Sequence, residues 1–271
     1  MSRPSPTRAR ATGGDDGAAR ATAVLHDVTI DYDGPGGSVR AVESLSAEIV
    51  ANEKFVILGP SGCGKSTLLA ALGGFVQLTS GSIVVHGEAV ARPSLERVMV
   101  FQDFGQLFPW KTVLDNVTFA LRRRWPRASR SELAERARRY VELVGLGAQS
   151  TQHPHTLSGG QKQRAAIARA FALSPQMLLM DEPFGALDAL NRERMQRELN
   201  RIWEEERTTI VFVTHDVLEA VHLGHRILVM TPGPGRVREI VRNPTVGAAP
   251  TDPAGLEVAA RLRALLSDGS P

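Results

Sequence analysis

The chain has 271 residues, of which 42% are hydrophobic and 23% charged, a balance that is typical of a soluble globular protein and excludes a fibrous or largely disordered chain. No run approaches the roughly 20 consecutive apolar residues of a membrane-spanning helix. The N-terminal residues lack the apolar core of a secretory signal, and a net charge of +3 gives little indication of nucleic-acid binding. The single cysteine, Cys63, excludes an internal disulfide or a multi-cysteine metal site and suits a reducing cytosol.

The N-terminal part of the chain is predicted to be a tail followed by two strands. Residues 1–22 are rich in Ser, Pro, Thr, Ala, Gly and Arg and lack apolar periodicity, so we expect a disordered tail and an ordered domain that starts at Ala23. Val24, Val28 and Ile30 indicate a short strand, residues 33–37 a Gly-rich loop, and residues 42–50 a half-buried strand.

From Phe55 onward the pattern is that of an α/β protein. Short apolar runs predict five strands that are covered on both faces, at residues 55–58, 98–101, 177–180, 210–213 and 227–230. Residues 104–170 are mostly helical in pattern. The domain is expected to end near residue 245, and a Pro- and Ala-rich C-terminal extension, 246–271, contains a short helix at 256–266.

One helical segment is strongly basic. Residues 122–139 contain eight arginines and only two acidic residues, Glu132 and Glu135, which leaves a net charge of +6. The spacing predicts i,i+4 ion pairs of Glu132 with Arg136 and of Glu135 with Arg139. Two interpretations remain open, a solvated helix face or a surface that contacts anionic lipid headgroups.

A predicted phosphate-binding loop follows the first buried strand of the α/β region and leads into a helix. It fits the pattern of a glycine, four residues and then Gly-Lys-Ser, with the residues Gly59, Pro60, Ser61, Gly62, Cys63, Gly64, Lys65 and Ser66. Glycine lets backbone N–H groups wrap closely around an anion, and the helix N-terminus adds a partial positive charge. Lys65 would contact the β- and γ-phosphates, Ser66 would hold Mg²⁺, and Thr67 would assist at the α-phosphate.

Two carboxylates, Asp181 and Glu182, end another predicted buried strand. A P-loop enzyme needs a carboxylate near its metal at the end of a neighbouring strand, and Asp181 fits that role. Glu182 would lie beside the γ-phosphate, where it can orient the attacking water or accept its proton. Together with the phosphate-binding loop, these residues predict a nucleotide hydrolase.

A signature segment narrows the class of hydrolase. Residues 157–164 read Leu-Ser-Gly-Gly-Gln-Lys-Gln-Arg, and over about residues 23–240 the chain resembles ATP-binding-cassette (ABC) ATPases. The other family elements occur in the expected order, with Tyr32 for adenine stacking, Gln102 of the Q-loop, Asp188 of the D-loop and His215, the switch histidine. The resemblance implies that ATP is bound by these residues, by the P-loop including Thr67, and by the signature residues Ser158, Gly159, Gly160 and Gln161.

The resemblance also implies a fold and a mechanism. The fold is a P-loop NTPase core with a parallel sheet, an antiparallel β-subdomain and a helical subdomain at about residues 104–170. Two cassettes dimerise head to tail, and each ATP lies between the P-loop of one subunit and the signature residues of the other. Because the chain has one copy of each motif, it is expected to pair with a second cassette, as a homodimer. Glu182, His215, Lys65 and Gln102 would be catalytic, with Mg²⁺ held by Ser66, Gln102 and Asp181.

One departure from the family pattern precedes the P-loop strand. Many relatives have Gly-Glu where this chain has Asn52-Glu53. Asparagine tolerates the left-handed backbone conformation better than any residue except glycine, so we expect the turn to be kept and the ATP site to be intact.

The sequence around the Q-loop resembles that of bacterial importer cassettes of the nitrate, sulfonate and taurine group. The segments 107–110 (Leu-Phe-Pro-Trp) and 232–236 (Pro-Gly-Pro-Gly-Arg) carry most of this resemblance. Phe104, Leu107, Phe108 and Trp110 are predicted to be exposed and to grip a coupling helix of a permease. Core packing of the helical subdomain is the alternative for each of these side chains.

This resemblance implies an ATPase subunit at the cytoplasmic face of the membrane, with separate permease subunits and a periplasmic or lipid-anchored solute-binding protein, and with no nucleic acid as partner. Two alternatives stay open, a non-transport ABC ATPase that acts on nucleic acid or ribosomes, and an exporter cassette. The 56 positions between Gln102 and Ser158 leave no room for the coiled coil that many non-transport relatives carry. The solute stays open, because in an importer it contacts the binding protein and the permease and never the cassette.

Overall fold

The computed structural model describes residues 21–34, 37–102, 104–185, 187–248 and 251–267. The predicted disordered tail lies outside the described residues, except for Ala21 and Thr22, which already belong to the first strand. Of the helices in these ranges, none is long and apolar enough to cross a bilayer.

Ten strands form two sheets in the described part of the chain. In order they are β1 (Ala21–Gly34), β2 (Gly37–Val50), β3 (Lys54–Leu58), β4 (Ser80–Val85), β5 (Glu88–Ala89), β6 (Arg97–Val100), β7 (Met177–Asp181), β8 (Thr209–Thr214), β9 (Arg226–Met230) and β10 (Val237–Arg242). The five predicted buried strands are β3 and β6 to β9, with ends within one residue of the prediction. The sequence pattern does not predict β4, β5 or β10, because their partly exposed faces leave no continuous apolar run.

Seven α-helices connect or cover these strands within the same ranges. They are α1 (Lys65–Gly73), α2 (Val113–Arg124), α3 (Arg130–Leu143), α4 (Gly159–Ala172), α5 (Ala189–Glu206), α6 (Val217–Leu223) and α7 (Pro253–Ser267). Helix α7 is the predicted terminal helix. It begins three residues before the predicted start, because the Asp252 carboxylate accepts a hydrogen bond from the Gly255 N–H at 3.0 Å and caps the first turn.

The larger sheet has the strand order β10-β9-β3-β8-β7-β6. Strands β9, β3, β8, β7 and β6 are parallel, and β10 pairs antiparallel with β9 at one edge. Every residue of β3 and β8 is buried, since both faces of the sheet are covered. The carboxyl ends of β3, β6, β7 and β8 therefore meet at one edge, and the loops that follow them lie close together.

The smaller sheet, β2-β1-β4-β5, is antiparallel throughout. The second half of β2 alternates between buried and exposed residues, and Leu45, Ala47 and Ile49 point inward. These side chains share a hydrophobic cluster with α1 and one face of the larger sheet, whereas the helices α2 to α7 contribute to the cluster on the other face. Between β2 and β3, Asn52 has φ 60°, which confirms the predicted left-handed turn.

The helices of the middle segment begin at polar caps. Ser129 and Glu132 form a reciprocal capping box at the start of α3, so the Glu132 carboxylate accepts a hydrogen bond from the Ser129 N–H at 2.8 Å. The predicted pairs of Glu132 with Arg136 and of Glu135 with Arg139 are wrong, as neither ion pair forms among the described residues. Arg139 instead pairs with Glu206 of α5 at 3.3 Å, which ties α3 to the core of the domain.

Candidate functional site

The phosphate-binding loop lies between the carboxyl end of β3 and the start of α1. Gly62 and Gly64 have φ values of 77° and 94°, a region that side chains disfavour, and Gly64 caps the helix. A side chain at Gly64 would also collide with the backbone carbonyl of Ala41 in β2. The glycines of this motif therefore meet two needs at once, a left-handed backbone and close contact with the smaller sheet.

Lys65 is the first residue of α1, and its side chain folds back over the loop. Its Nζ donates to the carbonyl oxygens of Gly59 at 3.0 Å and Pro60 at 2.8 Å. The side chain is buried, and no carboxylate forms an ion pair with it in the described residues. Its positive charge therefore stays at the mouth of the loop, where an anion would enter.

Ser66 and Asp181 lie next to each other although 115 positions separate them in sequence. The Ser66 hydroxyl donates to Oδ1 of Asp181 at 2.8 Å, because β7 ends beside the start of α1. Burial raises the pKa of the Asp181 carboxyl, with the neighbouring Glu182 charge adding to the effect and Ser66 and Lys65 opposing it. A cation bound here would relieve this unfavourable burial of negative charge.

Glu182 and His215 are brought together from the ends of β7 and β8. His215 Nδ1 lies 3.1 Å from Oε2 of Glu182, and the side chain of His215 is 57% exposed. Glu182 has φ 40°, a strained conformation for a residue with a side chain. A methyl group at Gly185 would lie 3.7 Å from both Oε2 of Glu182 and Nε2 of Gln102, so Gln102 faces the same space.

Tyr32 lies on β1, beside the start of α1. Its hydroxyl donates to the Thr67 hydroxyl at 3.3 Å, and the side chain is exposed. The predicted adenine contact and the predicted α-phosphate contact are therefore adjacent. This arrangement leaves the ring of Tyr32 free to stack against a base.

The signature residues lie at the start of α4, and Asp188 lies at the start of α5. Ser158 caps α4 by accepting a hydrogen bond from the Gln161 N–H at 3.3 Å, and the helix begins at Gly159. Asp188 caps α5 in the same manner through Asn191 at 3.0 Å. No hydrogen bond in the described part of the chain joins Ser158, Gly159, Gly160, Gln161 or Asp188 to the P-loop of the same chain.

Gly235 packs between the P-loop and β2, a role that the sequence pattern does not predict. Its N–H donates to the Ala41 carbonyl at 3.0 Å, and its carbonyl accepts from the Glu43 N–H at 3.0 Å. A side chain at this position would collide with the carbonyl oxygen of Cys63. The similarity of segment 232–236 to importer cassettes is the sequence feature that could have pointed to this role of Gly235. Burial of Cys63 itself raises the pKa of its thiol.

An apolar groove lies next to Gln102, between β6, α2 and α4, with a volume of about 460 Å³. The Phe119 groove, as we name it, is lined by Leu95, Phe101, Phe108, Phe119, Arg123 and Arg169. Of the four side chains predicted to be exposed near the Q-loop, Phe108 lines this groove and is half-buried, and Trp110 lies beside Phe108 and is 71% exposed. Leu107 is buried, so its prediction is wrong, because the preceding 3-10 turn packs it into the helical core. The side chain of Phe104 lies outside the described part of the structure.

A glycine loop between a central parallel strand and a helix, with carboxylates at the end of a neighbouring strand, defines a P-loop nucleotide hydrolase. Residues 42–185 match the family model described as ABC transporter. The chain is 48% identical over 218 residues to the taurine import ATP-binding protein TauB of Chromobacterium violaceum, covering 80% of this chain and 81% of that protein. It is 44% identical over 210 residues to the nitrate import ATP-binding protein NrtD of Synechococcus elongatus, covering 76% of each.

Among solved structures, the chain is similar to the dimeric post-hydrolysis state of the ATP-binding cassette MJ0796 bound to ADP and Pi. The TM-score is 0.73 at 32% identity, over 81% of this chain and 98% of that one. The chain belongs to the ABC transporter family of ATP-binding proteins. It is an ATPase that binds ATP, and the predicted family, the predicted fold class and the predicted similarity to nitrate and taurine import cassettes are confirmed.

Proposed function

We propose that this chain is the ATP-hydrolysing subunit of an importer that takes up a small solute of the nitrate, sulfonate or taurine type through a separate permease. The names of its relatives, a taurine import and a nitrate import ATP-binding protein, support the direction and the solute class. The observation that carries the proposal is the pairing of Glu182 with His215 at 3.1 Å beside the Ser66–Asp181 pair of the P-loop.

Hydrolysis would use these groups in distinct roles. Glu182 would orient the attacking water and accept its proton, and His215 would hold the Glu182 carboxylate and contact the γ-phosphate. Lys65 would exchange its two carbonyl partners for β- and γ-phosphate oxygens, which are stronger acceptors because they are charged. Thr67 and Tyr32 would hold the α-phosphate and the adenine.

The Ser66 hydroxyl and the Asp181 carboxylate fit Mg²⁺, which prefers oxygen ligands and usually takes only one or two from the protein. Gln102, which faces the space beside Glu182, would be the third protein ligand of Mg²⁺. When bound, Mg²⁺ neutralises charge on the phosphates. The raised pKa of Asp181 supports this assignment, since the nearby Lys65 charge does not offset the burial and no ion pair forms with this carboxylate in the described residues.

A second cassette would complete each ATP site. The signature residues and Asp188 are partly or fully exposed and make no hydrogen bond to the P-loop of their own chain within the described residues. Ser158, Gly159 and Gly160 present the N-terminus of α4, which favours an anion such as the γ-phosphate of a partner-bound ATP. We therefore propose a head-to-tail homodimer that closes on two ATP molecules.

The Phe119 groove would receive a coupling helix of the permease. The rings of Phe108 and Phe119 pack edge to face with centroids 4.9 Å apart, and Trp110 lies 5.4 Å from Phe108. Phe119 and Trp110 are exposed despite their size, which is the arrangement expected of a groove for an amphipathic helix. The chain would act at the cytoplasmic face of the membrane, with a periplasmic or lipid-anchored solute-binding protein in the same system.

Glu182→Gln tests the hydrolytic assignment. We expect ATP hydrolysis to fall by about 100-fold or more, because the amide cannot accept a proton, while ATP binding and ATP-dependent dimerisation persist. Steady-state hydrolysis, ATP titration and size-exclusion chromatography measure the three properties. Glu135→Gln, an exposed residue of α3, is the matched control. Normal hydrolysis by the Glu182 variant would show that the base is assigned to the wrong residue.

Phe119→Asp tests the permease assignment separately. The charge would disrupt docking in the groove without touching the ATP site, so we expect normal ATPase activity of the isolated chain and loss of co-purification with the permease. Arg138→Asp, on the exposed face of α3, is the control for added negative charge. Retention of the permease by the Phe119 variant would contradict the groove assignment.

A further inference from the structure

A second cavity lies at the amino-terminal edge of the larger sheet, opposite the edge that carries the P-loop. Its volume is about 310 Å³. It lies between the start of β3, the helices α5 and α6, the residue before β9 and the segment after β10. We name it the Lys54 pocket, after the first residue of β3, and its other polar lining includes Asn200, Trp203, Glu204, His222 and His225.

Lys54 is a buried ammonium group with an incomplete set of partners. Only 3% of the residue is exposed. Its Nζ donates to Oδ1 of Asn200 at 2.5 Å and lies 4.5 Å from the ring centroid of Trp203. No carboxylate forms an ion pair with it among the described residues, although an ammonium group carries three donors. Burial lowers the pKa of Lys54 to about 8, and the nearby Glu204 charge opposes this effect without offsetting it.

One further donor among the lining residues is also left without an acceptor. Nε1 of Trp203 is buried and has no hydrogen-bond partner. Nδ1 of His225 accepts a hydrogen bond from the Lys54 N–H at 3.1 Å, so the neutral ring carries its proton on Nε2. The pKa of His225 is lowered to about 4, mainly by burial and then by Lys54, so the ring is neutral near pH 7. An unpaired buried donor is costly, and here one lies on the ring that contacts the Lys54 ammonium group.

No carboxylate around the pocket forms an ion pair with the Lys54 ammonium group in the described residues. At the rim, Arg197 forms an ion pair with Glu193. Arg201 forms ion pairs with Glu198 and Glu205, and all of these residues lie on α5. Glu204 is the one lining carboxylate left over among the described residues, and it forms no ion pair with Lys54. The pocket thus has an excess of hydrogen-bond donors around a positive charge. A group with several acceptor oxygens and a negative charge is its chemical complement.

We propose that the Lys54 pocket binds a small oxyanion, of the class that includes nitrate, sulfate and sulfonates, through Lys54, Trp203 and His225. This site is separate from the P-loop, and it does not depend on the transport role proposed above. The cavity exceeds the volume of one oxyanion, so a short organic tail or ordered water can share it.

The test uses the full chain saturated with Mg²⁺ and a non-hydrolysable ATP analogue, so that the β- and γ-phosphate positions of the P-loop are both filled and cannot take the added anion. Nitrate, sulfate and taurine are titrated by isothermal calorimetry against chloride at equal ionic strength. We expect saturable binding of at least one of the three to the wild-type chain. Sulfate also stabilises proteins without binding a site, so the comparison between variants decides the outcome.

Three substitutions distinguish a specific site from a general salt effect. Lys54→Met removes the charge and should weaken oxyanion binding about tenfold or more, and Trp203→Phe, which keeps the ring, should weaken it about threefold. Glu204→Gln removes a repelling charge and should strengthen binding. The proposal is overturned if no anion binds, or if Trp203→Phe and Glu204→Gln leave binding unchanged. These two variants decide the matter even if Lys54→Met does not fold.

Discussion

The two edges of the larger sheet place charged groups in opposite environments. At the carboxyl edge, Lys65 has backbone carbonyl partners, and His215 is exposed and paired with Glu182. At the amino edge, Lys54 and His225 are adjacent in space and partly desolvated, and burial lowers the pKa of both. The charged groups of the carboxyl edge therefore have hydrogen-bond partners that a ligand can replace. At the amino edge, the charge of Lys54 is poorly compensated by other groups of the chain.

This difference reflects how each edge is built. The carboxyl edge is formed by loops that follow strands, where backbone N–H groups and polar side chains converge without passing through the core. The amino edge is closed by the long helix α5, whose Trp203 and Asn200 cover Lys54. A ligand at the carboxyl edge can thus be large and exchange freely, and one at the amino edge must fit a smaller cavity.

Substituting one lysine at each edge gives the largest expected contrast. Lys65→Ala should weaken ATP binding about 100-fold or more, because two charge-assisted hydrogen bonds to phosphate are lost, each with a free energy of about 1.5–3 kcal/mol. Lys54→Met should leave ATP affinity within about twofold, since the pocket is on the far side of the sheet. Calorimetric titration with ATP measures both. An equal loss in the two variants would show that the edges are coupled.

The carboxyl edge also depends on close backbone packing, which Gly235→Ala tests. The added methyl group would overlap the Cys63 carbonyl and the Met230 side chain, so we expect the free energy of unfolding to fall by about 1–3 kcal/mol. Denaturant unfolding with and without ATP measures the change. Gly147→Ala is the control, because a methyl group there meets its nearest neighbour at an ordinary 3.7 Å. Equal stability of the two variants would contradict the packing argument.

The same contrast explains how much of the molecule could be predicted from its sequence. The P-loop and the Asp181–Glu182 pair are contiguous motifs, so their residues and their place at the ends of strands were foreseen. Leu107 was predicted to be exposed because periodicity does not reveal which side a short 3-10 turn presents. The Lys54 pocket escaped prediction altogether, since Lys54, Asn200 and His225 lie up to 171 positions apart and match no motif.

The pH dependence of stability offers the finest test of the amino edge. The pKa of His225 is about 4 in the folded chain and near 6.5 in the unfolded chain. Between these pH values the ring is protonated in the unfolded chain and neutral in the folded chain, so the unfolded chain binds more protons. The resulting stabilisation is complete above about pH 6.5 and is lost as the pH falls through about 4. Because His225 is only partly buried, we discount the full shift and expect about 1 kcal/mol.

His225→Asn removes the titrating group while leaving an acceptor oxygen near the position of Nδ1, so the Lys54 N–H can keep its partner. The free energy of unfolding of this variant should fall less steeply than that of the wild type between pH 6.5 and 4. Acidic groups with raised pKa values, such as Glu219 and Asp181, are common to both proteins and cancel in the difference. Parallel slopes would mean that the His225 ring titrates normally and that the amino edge is wetter than its burial indicates.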